Sequence, residues 1–115
     1  MIQVIRRGET CVERIRVARD PWLRFRGLMS RQEVPAPFGQ GLFFPRCRSL
    51  HTLFMRFPLD IAFLDEEGNV VDFALNVAPW KAVNGPREAK HCLEVTAGLL
   101  EEIQVGDQLE FLTVT

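Results

Sequence analysis

Apolar and polar positions alternate in short runs along this chain, a period of two that predicts strands with one face buried. Ile2-Gln3-Val4 and Val12 to Val17 alternate on either side of the polar Arg6 to Glu9 turn and predict an N-terminal hairpin. In the second run Arg14 and Arg16 fall opposite Ile15 and Val17, where the solvent-facing residues of a strand belong. Gly41-Leu42-Phe43-Phe44, stopped by Pro45, and Leu50 to Met55, stopped by Pro58, read as further strands. Ile61 to Leu64 and Asn69 to Leu75 form a hairpin around Asp65-Glu66-Glu67-Gly68, with Ile61 and Phe63 on one side and Val71, Phe73 and Leu75 repeating at period two. Val77 to Pro86 carries turn signals, Pro79-Trp80-Lys81 and Asn84-Gly85-Pro86, around one large aromatic. Cys92 to Val95 reads as a strand, Ala97 to Glu102 as a helical turn, Gly106-Asp107 as a turn, and Gln108 to Val114 as a closing strand alternating at Leu109, Phe111 and Thr113.

The period changes once. Asp20-Pro21 sets an acidic cap before a proline at a first helical position and predicts a short helix from Pro21 to Met29, with Trp22, Phe25 and Met29 on one face. Residues 32 to 41 carry two prolines and two glycines and read as a loop. The fold class that follows is mainly β: a small β-sandwich or partly closed barrel of seven or eight short strands with one or two short helices. At 115 residues the chain fits a single domain over 1–115.

Composition narrows the classes. With 47% hydrophobic and 25% charged residues the chain is too apolar for intrinsic disorder. No apolar run approaches a membrane span, and MIQVIRRGE does not read as a signal peptide, so a cytoplasmic location is expected. Three cysteines, Cys11, Cys47 and Cys92, cannot all pair within one chain and read as free thiols in a reducing compartment. Net charge is only −1, but residues 1 to 60 hold eleven Arg against five acids, while 61 to 115 hold three bases against ten. Such halves either attract each other within one fold or present a basic face to an anionic partner. No basic run interleaves with aromatics, so nucleic acid is not expected as a partner.

Several segments together carry a resemblance: Gly27-Leu28-Met29 followed by Arg31; Gly41-Leu42-Phe43-Phe44; Pro58-Leu59-Asp60 with Phe63, Asp65 and Gly68; and Leu93-Glu94-Val95 through Gly98 to Gly106-Asp107. In their order and spacing the chain resembles the DUF192 family, a group of small proteins with no established biochemical activity. The resemblance implies a jelly-roll type of β-sandwich with short helices, in agreement with the strand count. It fails at one place. Before Pro-Leu-Asp the family usually carries Phe-Trp-Met-Lys-Asn-Thr, whereas this chain has Leu50-His51-Thr52-Leu53-Phe54-Met55, so no role of that Trp, Lys or Asn carries over. Many relatives look exported, and this chain is expected to differ from them in lacking a leader.

Around the motifs of that resemblance lie Arg26, Arg31, His51, Arg56 and Asp60, with Arg26 and Arg31 bracketing Gly-Leu-Met. Guanidinium groups hold carboxylate or phosphate through paired hydrogen bonds, and an imidazole titrates near neutral pH. The structural alternative is that Asp60 accepts backbone or Arg hydrogen bonds and fixes the bend between strands. Trp80 reads either as an exposed stacking platform for sugars or other flat ligands, or as a loop aromatic over one end of the core. Cys47, His51, His91 and Cys92 are all permissible zinc ligands, but residues 47 and 51 of a straight strand stand roughly 13 Å apart and neighbours 91 and 92 point to opposite faces. Neither a metal nor a cofactor is expected.

Two functions of different kinds follow. The preferred one is a non-catalytic ligand-binding or protein-interaction module that holds a small anionic or carbohydrate-like ligand, or a protein partner, at Arg26, Arg31, His51, Arg56, Asp60 and Trp80. The other is a small hydrolase using His51 with Asp60 or Cys47. No nucleophile, base and orienting group stand at recognisable spacing, which favours the module. It is expected to be a monomer or weak homodimer, without a nucleic-acid or membrane partner.

Overall fold

The computed structural model describes residues 2–17, 41–52 and 57–113. The predicted helix Pro21–Met29 and nearly all of the loop after it lie outside these residues, as do Arg26, Arg31 and Arg56. Nine strands are present among the described residues: β1 (Ile2–Arg6), β2 (Glu9–Val17), β3 (Gly41–Pro45), β4 (Ser49–His51), β5 (Leu59–Leu64), β6 (Val70–Val77), β7 (Ala82–Asn84), β8 (His91–Thr96) and β9 (Leu109–Thr113). Seven form one sheet in the order β6-β5-β8-β3-β2-β1-β9, and β4 and β7 pair as a separate ribbon. Neighbours are antiparallel except β2 and β3, which run parallel with Ile15 opposite Gly41.

The N-terminal hairpin closes on Arg7-Gly8, both at positive φ (52° and 81°), the geometry of a two-residue turn whose twist matches its strands. At the Asp65–Gly68 turn the Asp65 carboxylate accepts from the amides of Glu67 and Asn69, both at 2.9 Å, and from the Asn69 side chain. Gly68, at φ 85°, comes so close to the Leu109 carbonyl that a Cβ there would lie 2.7 Å from it. The two edge strands meet at this corner: Asn69 bridges Gln108, the Leu109 amide donates to Gly68, and the Val70 amide donates to Asp107. The large sheet is therefore curled into a partly closed barrel.

Two apolar clusters follow from this curl. One runs along Val4, Val12, Ile15, Ala62, Leu64, Val70, Leu93, Val95 and Leu109, drawing on six strands of the large sheet, with Leu100 and Ile103 closing it. The other takes the opposite side of β3, β5 and β8 through Leu42, Phe44, Leu59, Ile61, Phe63 and Cys92, and Leu50 and Val83 of the ribbon pack against it. All six residues of β5 are buried, because this strand faces a core on both sides. Each large side chain so buried contributes about 1.5–3 kcal/mol. Gly85 lets the ribbon sit down on Phe63, for a Cβ at residue 85 would fall 2.5 Å from that ring.

Three expectations change in detail. The strand expected over Leu50–Met55 is Ser49–His51, with 53–56 outside the described residues. Val77–Pro86, read as turns, contains β7; a three-residue strand in which only Val83 turns inward leaves no period to read. Ala97–Glu102 forms hydrogen-bonded turns, Leu99 to Thr96 and Ile103 to Leu100, and no helix occurs among the described residues.

Candidate anion-binding cleft

Pro45 ends β3 opposite His91, and the next residue, Arg46, turns the chain toward the ribbon with φ at 54°. An L-residue in that region costs roughly 1–2 kcal/mol, so the surrounding bonds must hold it there. The Arg46 amide donates to Nδ1 of His91 at 3.0 Å, the Cys47 amide donates to Lys90 at 3.0 Å, and the Gly85 amide donates to Arg48 at 2.7 Å. The Cys47 thiol donates to the Ser49 carbonyl, and the buried Cys92 thiol donates to the Cys47 carbonyl. Opposite them the Lys90 amide donates to Leu64 and the Ala89 amide to Pro86.

These two pinned segments and the tip of the Asp65–Gly68 turn border an open cleft of about 450 Å³, lined by Arg46, Cys47, Arg48, Glu66, Arg87, Ala89, Lys90 and His91. Arg46, Arg48, Arg87 and Lys90 are the basic residues of this lining, and Glu66 is its one carboxylate. Among the described residues no ion pair forms at Arg48, Arg87 or Lys90. Such a wall attracts an anion from solution and offers it paired donors.

The expected site residues fall in three places. Arg26, Arg31 and Arg56 lie outside the described residues. Asp60 is 1% exposed on β5, and its carboxylate accepts from the amides of Asn76 (2.8 Å), Gly98 (2.9 Å) and Leu100 (3.1 Å). It ties the end of β6 and the turns after β8 to the start of β5, the bracing role that was the alternative to ligand binding. His51 is half-buried on β4, in the other sheet.

His51 does share its end of the ribbon with Trp80. Thr52, fully buried, accepts the Lys81 amide on its hydroxyl, donates that hydroxyl to Ala78 at 2.8 Å, and binds the Lys81 carbonyl and Trp80 amide through its backbone. This clamp fixes Trp80 at φ 67° with the residue 60% exposed. Trp80 is thus a displayed aromatic, not one that closes the core. Arg46, Arg48, Arg87 and Lys90 were not foreseen as site residues, and His91 was weighed only as a zinc ligand; they are scattered in sequence, and the pairing of β3 with β8 gathers them.

The DUF192 family model, described as "Uncharacterized ACR", matches residues 2–111. A UPF0127 protein of Pyrococcus furiosus is 38% identical over 65 residues, 55% of each chain. A UPF0127 protein of Thermococcus sibiricus is 27% identical over 111 residues, 91% of this chain and 70% of that one. The match spans only about half the length of the Pyrococcus relatives. Among solved structures, a protein of unknown function from Novosphingobium aromaticivorans is similar with a TM-score of 0.78 at 25% identity, covering 95% of this chain and 82% of the other. A protein from Sinorhizobium meliloti, described as a candidate transcription regulator, gives 0.74 at 25% identity, covering 96% and 91%.

Proposed function

The chain belongs to the DUF192 family, and we propose from its own geometry that it is a non-catalytic module that holds a small anionic ligand in the cleft between the end of β3 and the start of β8. The observation that carries this reading is the charge of that cleft, where Arg48, Arg87 and Lys90 outnumber its one carboxylate, Glu66. The strained Arg46 backbone adds to it, since strain persists where the surrounding bonds over-determine a functional site. Trp80, displayed at the far end of the ribbon, serves a larger ligand as a stacking contact.

The hydrolase alternative is less well supported, because the Asp60 oxygens are already bonded to three amides. A role in transcription, as described for the Sinorhizobium protein, would require a basic surface long enough to follow a nucleic-acid backbone. A small concavity with an acid on its lip suits a small anion better.

Thermal melting at low ionic strength tests the reading. A ligand at about 100 times its Kd stabilises the native state by about 2.7 kcal/mol. Phosphate, sulfate or citrate is expected to raise Tm, added salt to erase the rise, and the Arg48→Ala/Arg87→Ala double variant to lose it while melting like the wild type without ligand. A Tm indifferent to every anion, or a rise that survives in the double variant, would refute the proposal. A duplex DNA arm separates the transcription reading.

A further inference from the structure

We infer that the ligand group of this cleft is a hydroxylated phosphate monoester, and that the Nε2–H of His91 is the donor that selects it; the inference rests on the anion-binding reading above. His91 Nδ1 accepts the Arg46 amide at 3.0 Å, so that nitrogen carries no proton and the neutral ring bears its hydrogen on Nε2. The ring has little freedom to exchange these roles. Phe43 packs against it with centroids 5.5 Å apart and planes tilted by 42°, and the Arg46 amide is aimed at it by the same left-handed turn that the neighbouring Cys47–Lys90 bond keeps in place.

His91 lines the cleft, and Nε2–H is the donor its ring has left to offer there, beside Arg48, Arg87 and Lys90. The number of donors exceeds what the two oxygens of a carboxylate can accept. A phosphate monoester brings three terminal oxygens and nearly two negative charges at pH 7, which matches both the donors and the excess of cations over Glu66. The remaining space points to an ester and not a bare ion. At about 450 Å³ the cleft lies in the range of small-molecule sites, roughly 300–1,000 Å³. Glu66, the one acceptor side chain of full charge on its wall, suits the hydroxyl groups of a polyol or sugar body.

Titration calorimetry at low salt with glycerol phosphate, inorganic phosphate, sulfate, citrate and glycerol tests this. Glycerol phosphate is expected to bind at least about tenfold more tightly than the other anions, and glycerol not at all. His91→Phe should abolish that preference while phosphate still binds, Glu66→Gln should weaken the ester but not inorganic phosphate, and His91→Asn, which keeps an N–H, should restore part of the preference. Should His91→Phe fail to fold, long-range proton–nitrogen NMR of the wild type reads the tautomer directly, with Nε2–H expected. Equal affinity for all anions, or an Nδ1–H tautomer, overturns this inference and leaves the anion site standing. Absence of any anion binding removes the site itself.

Discussion

Arginine is used in two opposite ways in this molecule. At the β1–β2 turn, Arg6 and Arg7 converge on one buried carboxylate: Arg6 Nε lies 2.5 Å and Arg7 3.0 Å from Asp107, and Arg6 also donates to the Glu102 carbonyl at 2.6 Å. In the cleft, Arg48, Arg87 and Lys90 make no ion pair among the described residues and stand in water around a hollow. The first cluster joins arginines of the basic half to a carboxylate of the acidic half, whereas the cleft gathers Arg87 and Lys90 of the acidic half beside Arg48, and only the first is closed within the fold. A paired guanidinium holds structure together; a guanidinium left beside others of its sign stores an attraction for something outside the chain.

Removing charge from each cluster tests that difference most strongly. Asp107→Ala would strand Arg6, whose side chain is 14% exposed, and is expected to lower stability by about 2–4 kcal/mol. Arg7, at 62% exposure, adds little to this loss. Arg48→Ala and Arg87→Ala should each change stability by no more than about 0.5 kcal/mol. Urea unfolding of the three variants reads the contrast, and equal losses would mean that the cleft arginines are structural after all.

Acid should separate the same regions with a smaller effect. Burial pushes the Asp107 carboxyl up, but the Arg6 guanidinium bonded to it, the Gln104 amide and the charge of Arg7 outweigh burial and leave it below the usual carboxylate range. At Asp65 burial again raises, and the bonds from Asn69 and Glu67 again prevail. A carboxyl that titrates lower when folded gives its full stabilisation above the unfolded value of about 4, and loses it as pH falls through the folded value. The urea midpoint should therefore fall with pH below about 4, and fall less steeply in Asp107→Asn. Unchanged steepness in that variant would assign the acid sensitivity to other groups.

How much of this was legible in the sequence depends on whether the cause was local. The hairpin around Asp65–Gly68 could be read because its alternation, its Gly and its capping carboxylate lie within a dozen residues. Trp80 stood out for the same reason, as one aromatic among turn residues. The cleft could not be read, because Arg46 and His91 are 45 positions apart and become neighbours only when β3 pairs with β8. The Asp107 pair is longer still, joining residues 100 apart where β1 pairs with β9. Asp60 read as a site through its company, Arg56 and His51, while the backbone amides that its carboxylate accepts from at the buried start of β5 lie 16 to 40 positions away and could not be read.

The smallest effect is the sharpest on the comparison. Arg7 and Arg46 share the same backbone region, at φ 52° and 54°, so a glycine at either position relieves similar strain. Relief of about 1–2 kcal/mol less the extra freedom of an unfolded glycine, about 0.5–1 kcal/mol, leaves a gain near 0.5–1 kcal/mol. Arg7→Gly gives part of that gain back, because it also loses the 3.0 Å contact with Asp107. Arg46→Gly should gain by the same relief and weaken anion binding at the same time, a trade of affinity for stability that Arg7→Gly does not make. If Arg46→Gly unfolds at lower urea than the wild type, the left-handed turn at the cleft is held by the side chain of Arg46 itself, and the cleft is part of the scaffold.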